Sequence, residues 1–202
     1  SNILQLPYYR MKGIGKIKRN DCVVFNWPAE KLGRPVDKKE NYIKRCVGIP
    51  GDKIQIENGL LFVNGNPAQE PEGMKTQYRY RVNTSGFGIN PKILLEKYDI
   101  TEGGYGRNKN EYILTLTEKN KNIIQKFNNV ENVEIIYENK SGIHVFPNND
   151  KFNWSSDNFG PLEVPKLGET INLNPQNLYI YKDIIEEYEN NQLEIIGGII
   201  YI

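Results

Sequence analysis

Apolar positions in the first quarter of the chain fall in two short, continuous runs. Residues 21–27 (DCVVFNW) and 41–49 (NYIKRCVGI) are rich in β-branched and aromatic side chains, and proline follows each run, at Pro28 and Pro50. Runs of this length and composition that end at turn residues predict buried strands. The intervening segment is polar and contains Pro28, Gly33 and Pro35, which predicts an exposed connection between the two strands.

Two further segments predict β-hairpins. Residues 53–65 (KIQIENGLLFVNG) contain two short apolar runs separated by Asn58-Gly59, a dipeptide that favours a tight hairpin turn. Residues 193–202 (LEIIGGIIYI) repeat this pattern around Gly197-Gly198. The last residues are an apolar run, so we expect the sequence to be a piece of a longer chain, with the polar Ser1-Asn2 as a cloning remnant.

The middle of the chain combines strand and helix patterns. Alternating apolar positions predict half-buried strands at residues 77–82, 111–116 and 132–138. Helices are predicted to begin at Asn90-Pro91, at Thr117 and at Asn174-Pro175, where a capping residue or a cap followed by proline precedes apolar positions at helical spacing. The glycine-rich residues 103–110 (GGYGRNKN) predict a flexible loop.

Together these patterns predict an α+β fold with a predominantly antiparallel β core and a large α+β insertion. Residues 1–66 would form part of the β core, residues 67–192 an insertion lobe, and residues 193–202 strands that return to the core.

Composition limits the classes of partner. The chain has 202 residues, and its 26 Lys and Arg against 25 Asp and Glu give a formal charge of +1. No overall field therefore favours nucleic acid or an anionic membrane as a partner. The 13 tyrosines are spread along the chain without a basic groove to accompany them, so nucleic acid binding is not predicted.

No metal or cofactor is predicted. Cys22 and Cys46 each lie in an apolar run, where a thiol acts as a small hydrophobic side chain, and two cysteines make no metal cluster or disulfide framework. His144 is the single histidine and has neither a cysteine nor paired carboxylates near it in sequence, which favours a packed or surface residue over a ligand or a base. No apolar run approaches the ~20 residues of a membrane span, and no signal sequence begins the chain.

Lys44 is the unusual residue of the second strand. Side chains alternate along a strand, so Lys44 shares a face with Tyr42 and Cys46 while Ile43 points to the other face. In apolar surroundings an ammonium loses hydration, which disfavours its charged form and allows a lysine to act as a base. The alternative is an exposed edge strand, where a lysine discourages pairing with other chains.

The order of the segments resembles a known family. Residues 18–25 (KRNDCVVF) followed by residues 42–52 (YIKRCVGIPGD) are similar to two sequence boxes of bacterial type I signal peptidase, the membrane-anchored Ser/Lys endopeptidase that cleaves signal peptides from exported preproteins. Residues 6–9 (LPYY) and 157–168 (DNFGPLEVPKLG) resemble the variety of this family with a long insertion. The resemblance is strong over residues 3–65 and looser beyond them.

The resemblance implies a role for Lys44 and also shows what is missing. Lys44 matches the general base of the family, which takes the proton from the nucleophilic serine. No Ser-Met-x-Pro segment, which carries that serine, occurs in the chain, and no Gly-Asp-Asn-Arg box follows the second hairpin. Residues 154–160 (WSSDNFG) are a poor substitute for that box. We therefore expect an inactive middle fragment of an active parent.

The resemblance also implies partners and a location. The parent would act on signal peptides of exported preproteins, with its catalytic part on the outer (periplasmic) side of the bacterial cytoplasmic membrane and its membrane anchor outside this chain. Two alternatives stay open: a signal-peptidase-related binding module without catalysis, and an autocleaving repressor, which would need a DNA-binding domain upstream. The flanking gene sequence distinguishes all three.

Overall fold

The computed structural model describes residues 9, 11–27, 33–35, 38–139, 145–189 and 191–202. Its elements in chain order are β1 (Cys22–Asn26), β2 (Asn41–Arg45), β3 (Lys53–Glu57), β4 (Leu60–Val63), β5 (Asn66–Pro67), β6 (Gln77–Thr84), α1 (Pro91–Tyr98), β7 (Gly103–Tyr105), β8 (Glu111–Thr117), α2 (Glu118–Ile124), β9 (Val130–Ile135), β10 (Phe159–Glu163), α3 (Leu178–Asp183) with a π-helical turn at Ile184–Tyr188, β11 (Glu194–Ile196) and β12 (Ile199–Tyr201).

The strands form four sheets, and every pairing between the described strands is antiparallel. β1 pairs with β2, β11 pairs with β12, and the two four-stranded sheets have the orders β10-β3-β4-β5 and β7-β8-β6-β9. Helices are few and short. The predicted α+β class with predominantly antiparallel strands is therefore confirmed.

The predicted hairpins form where the glycine turns indicated. Asn58 and Gly59 both have positive φ, 48° and 76°, and connect β3 to β4. Gly197 and Gly198, with φ of 58° and 84°, connect β11 to β12 in the same manner. Positive φ at both central residues is the geometry of a type I′ turn, whose twist matches that of the flanking strands.

One strand of the first four-stranded sheet comes from far along the chain. β10 lies within the predicted insertion, residues 67–192, yet it pairs with β3 of the predicted core through Phe159↔Ile56 and Leu162↔Ile54. β11 and β12 pair with each other, and no strand ladder joins them to another sheet within the described residues. The division into core, insertion and return strands stays a prediction.

The main buried cluster lies in the sheet β7-β8-β6-β9 and the helices beside it. It consists of Tyr80, Val82, Ile89, Leu94, Ile100, Tyr112, Leu114, Leu116 and Ile124. Alternation along β6 and β8 buries every second side chain of each strand, as predicted for half-buried strands. Burial of about nine apolar side chains at ~1.5–3 kcal/mol each makes this cluster the main source of folding free energy in the described chain.

Two of the predicted helices begin at their predicted caps. Asn90 accepts a hydrogen bond from the Lys92 backbone N–H before Pro91 starts α1, and Thr117 accepts one from the Asn120 N–H before α2. Side-chain oxygens at these positions satisfy backbone donors that have no partner within the helix. The third helix begins at Leu178, later than predicted, because Asn174 instead accepts hydrogen bonds from Gln176 and Asn177 in a preceding turn.

The prediction of a flexible loop at residues 103–110 is wrong for its first three residues. β7 (Gly103–Tyr105) pairs with β8 in the register Gly103↔Leu114 to Tyr105↔Tyr112. Gly103 has a φ of 147°, and a Cβ added there would lie 2.7 Å from the Ile113 carbonyl oxygen. Glycine thus permits a close approach of two backbones. A glycine-rich composition is typical both of such an approach and of a flexible loop, so composition alone could not distinguish them.

Candidate active site

Lys44 lies near the end of β2, in the antiparallel hairpin that β2 forms with β1. The register pairs Val23 with Lys44 and Phe25 with Tyr42. Backbone hydrogen bonds extend the ladder at both ends: Trp27 N–H donates to the Glu40 carbonyl at 2.9 Å, and Cys46 N–H donates to the Asp21 carbonyl at 2.8 Å. The register of Lys44 is therefore fixed from both sides.

The face of the hairpin that carries Lys44 also carries an aromatic group. The rings of Phe25 and Tyr42 stack at 6.3 Å, and the Trp27 ring lies 5.4 Å from that of Tyr42. Lys44 Nζ lies 6.0 Å from the centre of the Tyr42 ring, at the outer limit of a cation–π contact. The opposite face exposes Val24 and Ile43, which retain 65% and 67% of their accessible surface.

Lys44 itself is exposed, which corrects one expectation from the sequence. The apolar surroundings predicted for its ammonium are not formed by the described residues, since both faces of the two-stranded sheet lie open. The apolar composition of residues 41–49 was read as burial, but a two-stranded sheet without a second layer cannot bury either face. The structure therefore agrees with the alternative given above, in which Lys44 lies on an exposed strand.

The turn after β2 has the geometry that its sequence indicates. Asp52 N–H donates to the Ile49 carbonyl at 3.0 Å, and Gly51 has a φ of 92°. Proline at the second position and glycine with positive φ at the third are typical of a type II turn. Gly51 N–H also donates to the Val164 carbonyl at 2.7 Å, which attaches the turn to the end of β10.

Asp52 ends this turn and is the most heavily hydrogen-bonded carboxylate of the region. It is 4% exposed, and its two oxygens accept hydrogen bonds from both guanidinium nitrogens of Arg19, Nε at 2.7 Å and Nη2 at 2.5 Å. Ile49 N–H donates to Oδ2 at 2.9 Å, and Asn64 Nδ2 donates to Oδ1 at 3.1 Å. We call Arg19, Asp52 and Asn64 the carboxylate clasp. It joins the segment before β1, the turn after β2 and the turn after β4.

The clasp changes the proton affinity of both charged groups. The Arg19 hydrogen bonds, helped by those from Ile49 and Asn64, hold the pKa of Asp52 well below its usual range against the opposing effect of burial. The hydrogen bond to Asp52 likewise raises the pKa of Arg19. A bidentate Arg–carboxylate pair fixes orientation as well as charge, so the clasp is an orienting device for the chain on either side of it.

An open apolar groove of about 690 Å³ lies below the turn, and the sequence analysis did not predict it. It is lined by Gly48, by Ile54 and Ile56 of β3 and by Phe159 and Leu162 of the adjacent strand β10. Residues 53–57 alternate in apolar character and so indicate a strand, but their pairing with the distant residues 159–163 was not visible in the sequence pattern.

The remaining candidates do not add a catalytic group among the described residues. Ser155 is fully buried, its hydroxyl donates to the Glu138 carbonyl and it accepts from Asn158 N–H at 3.0 Å, so its hydrogen bonds stabilise a turn. Ser156 donates to the Glu138 carboxylate at 2.8 Å. No hydrogen bond joins any serine to Lys44 in the part of the chain that the structure describes. His144 lies outside the described residues.

The cysteines and the search for metal and membrane elements give no further site. Cys46 donates its thiol proton to the Gly48 carbonyl at 3.2 Å, Cys22 is exposed, and both are free thiols. Across residues 11–27, 33–35, 38–139, 145–189 and 191–202, no group of three or more His, Cys, Asp or Glu could hold a metal ion. No helix in those ranges is both long enough and apolar enough to cross a membrane.

Comparison with known proteins identifies relatives of the first part of the chain. The family model described as "Signal peptidase, peptidase S26" matches residues 4–163. Signal peptidase I of Bacillus caldolyticus is 43% identical over 58 residues, which is 29% of this chain and 27% of the relative. Signal peptidase I P of Bacillus subtilis subsp. natto is 35% identical over 91 residues, 44% of this chain and 45% of the relative.

A third relative has similar coverage. Signal peptidase IB of Staphylococcus aureus is 35% identical over 57 residues, 28% of this chain and 25% of the relative. The matched part of the chain thus spans between a quarter and less than half of the length of these relatives. No solved structure matches this chain.

Proposed function

Because this chain belongs to the signal peptidase family, peptidase S26, we propose that it is part of a membrane-anchored signal peptidase I that cleaves signal peptides from exported preproteins. Support comes from the family match, which covers the β1–β2 hairpin, the type II turn and the β3–β4 hairpin together. The catalytic part would lie on the outer side of the bacterial cytoplasmic membrane, with the anchor outside this chain.

Lys44 is the proposed general base, and the observation that carries the assignment is its place in residues 42–52 (YIKRCVGIPGD), which resemble the lysine box of the family and lie within the family match. Its ammonium group extends from a strand of fixed register into accessible space, where the hydroxyl of a serine from outside these 202 residues can approach it. The uncharged amine would take the proton of the serine Oγ as that oxygen attacks the scissile carbonyl. The same proton then passes to the leaving amine, and water releases the acyl group in a second step.

The free edge of β2 supports a proposal for where the substrate lies. β2 pairs with β1 on one edge only, and its other edge has no ladder partner among the described strands. We propose that the signal peptide lies extended along this free edge, held by main-chain hydrogen bonds. Small side chains would be preferred next to the cut, as in an A-x-A cleavage site.

The test exploits a difference between lysine and arginine. In the complete gene product, both Lys44→Ala and Lys44→Arg should abolish processing of a signal-peptide-bearing preprotein, because a guanidinium stays protonated and cannot accept the serine proton. The matched control is Lys53→Arg on β3, another exposed strand lysine, which should process at the unmutated rate. Processing by Lys44→Arg near the unmutated rate refutes the general-base assignment.

A second candidate function is a non-catalytic binding module of the same family. It is favoured by the exposed position of Lys44 on β2, which corresponds to the edge-strand alternative for this lysine. Under this alternative, the complete gene product would bind a signal-peptide-bearing preprotein and leave it uncut, and Lys44→Ala would leave its binding unchanged. Cleavage by the complete gene product, lost in Lys44→Ala, excludes it.

A further inference from the structure

The carboxylate clasp lies at the end of the β1–β2 hairpin that is nearest to Lys44. Arg19 immediately precedes the residues that start the β1–β2 ladder, where Asn20 N–H donates to the Cys46 carbonyl at 2.7 Å. Asp52 follows the turn that ends the same ladder. The ion pair between them therefore closes the hairpin at the end nearest to Lys44, across 33 residues of chain.

The clasp also joins two sheets that have no shared strand. Asn64, at the turn after β4, donates its side-chain N–H to Asp52 and accepts from Lys53 N–H at 2.8 Å. The Asp52 carbonyl accepts from Val164 N–H at 2.8 Å, next to β10. Asp52 thus links the hairpin of Lys44 to both β4 and β10 of the neighbouring sheet.

Packing alone restrains this alignment weakly. No apolar residue of β1 or β2 is buried in the described chain, and the close packing contact with the other sheet lies just beyond β2, where Gly48 meets Ile54. Hydrogen bonds of fixed direction add the restraint on the angle between the sheets that one such contact does not give. A bidentate guanidinium–carboxylate pair restrains two directions at once, which a single lysine ammonium would not.

We propose that Asp52, held by Arg19, is a positioning residue that sets the place of Lys44 relative to the β10-β3-β4-β5 sheet. This inference rests on the proposed function for its catalytic consequence only. The carboxylate touches neither the reacting atoms nor Lys44. It acts by fixing the strand, and misplacement of a catalytic group by about 1 Å costs on the order of a hundredfold in rate.

The first measurement concerns the strand itself and needs no catalysis. In the 202-residue chain, Asp52→Asn should raise the hydrogen-exchange rates of the Asn20 and Cys46 amides, which form the ladder next to the clasp, by about tenfold or more. The matched control is Glu96→Gln, which removes the exposed Lys92–Glu96 pair of α1 and should change neither amide. Unchanged exchange at both amides in Asp52→Asn overturns the proposal whatever the protein catalyses.

The second measurement concerns the rate in the complete gene product. Asp52→Asn and Arg19→Ala should each lower kcat for a signal-peptide-bearing preprotein by about tenfold or more at a temperature where the variant is fully folded, with KM changed about twofold or less. Arg19→Lys should recover only part of the rate, because an ammonium cannot form the paired bonds. The double variant should be no slower than the worse single variant, since both remove one interaction.

The outcomes separate this proposal from the proposed function. A lower melting temperature with unchanged kcat means that the clasp is only structural, which overturns the positioning role while Lys44 keeps its own. If the kcat losses of Arg19→Ala and Asp52→Asn multiply in the double variant, the two residues act independently. The Arg19–Asp52 pair is then not the cause of the lower rate. An active Lys44→Arg enzyme overturns the proposed function, and with it the catalytic consequence of the clasp. The hydrogen-exchange result still decides whether the clasp fixes the strand.

Discussion

The side chain of Ile54 packs directly against the backbone of Gly48, so that a Cβ added to Gly48 would lie 2.6 Å from Ile54 Cδ1 and 2.9 Å from Cγ1. Gly48 lies between the end of β2 and the type II turn, and Ile54 is buried in β3. The contact brings the two sheets together at one point beside the clasp. A larger residue at position 48 must therefore displace either the turn or Ile54.

Gly48→Ala should destabilise the chain by about 1–3 kcal/mol, the usual cost of inserting an extra methyl group into a packed contact. The measurement is the free energy of unfolding in urea. Adding Ile54→Val should recover part of the loss, because valine lacks the Cδ1 atom nearest to the new methyl group. Additive losses in the double variant would contradict a direct contact between the two side chains.

Gly51→Val should damage folding through strain in the type II turn. Gly51 has a φ of 92°, which a β-branched residue adopts only with strain, and the added Cβ would also collide with the side chain of Lys166. We expect a loss of about 2–3 kcal/mol in the free energy of unfolding from backbone strain alone. Gly15→Val is the control, since Gly15 has no positive φ and open space around it. Equal melting temperatures for Gly51→Val and Gly15→Val would contradict the turn assignment.

Gly103→Val should detach β7 from β8. The added Cβ would lie 2.6 Å from Leu114 Cδ2 and 2.7 Å from the Ile113 carbonyl oxygen, so the strands must separate. Hydrogen exchange should then accelerate at the Thr115 amide, which donates to the Glu102 carbonyl at 3.1 Å. Gly104→Val on the same strand has open space and should leave this amide protected. Equal protection in both variants would count against the close approach.

Acid should weaken the clasp, and the sign follows from the lowered pKa of Asp52. A carboxylate whose pKa is lower in the folded than in the unfolded chain contributes stability above its unfolded pKa, about 4, and loses it as pH falls below that value. The free energy of unfolding should therefore fall between about pH 5 and pH 3 more steeply in the unmutated chain than in Asp52→Asn. A slope in Asp52→Asn equal to that of the unmutated chain would show that Asp52 does not titrate as expected.

The 202 residues alone should not cleave a signal-peptide substrate. Under the proposed function, Lys44 is the base and its serine partner lies outside these residues, so no acyl intermediate forms and no peptide product should appear at any enzyme concentration. Mass spectrometry of a signal-peptide-bearing preprotein after incubation is the measurement, and the complete gene product is the positive control. Serine-type cleavage that copurifies with the chain and disappears in Ser156→Ala would mean that the nucleophile lies within it.

Local chemistry made several elements predictable from the sequence. Asn58-Gly59 can adopt the positive φ of a type I′ turn at little cost, and Asn90-Pro91 both caps a helix and starts it. Each signal is contained within a few neighbouring residues. For the same reason Lys44 could be placed on a strand before its partner strand was known.

Long-range pairing was not predictable in this way. The pairing of Phe159 with Ile56 joins segments about a hundred residues apart, and nothing in either segment specifies the other. The contact of Arg19 with Asp52 was missed for the same reason, because each charge alone reads as an exposed residue. The burial of Lys44 was overestimated because an apolar strand was assumed to have a second layer over it, which the described chain does not supply.

The buried cluster lies in the sheet of β6 and β8 and the helices beside it. Different parts of the molecule should therefore differ in resistance to heat. The cluster has nine buried apolar residues, whereas β1, β2, β11 and β12 have none that are buried. Parts of a protein with few buried contacts open at a lower free-energy cost than its core. On warming, the hairpin of Lys44 should therefore melt first, with the sheet of β6 and β8 still intact, so calorimetry of this chain should record two endotherms where a single cooperative unit would give one.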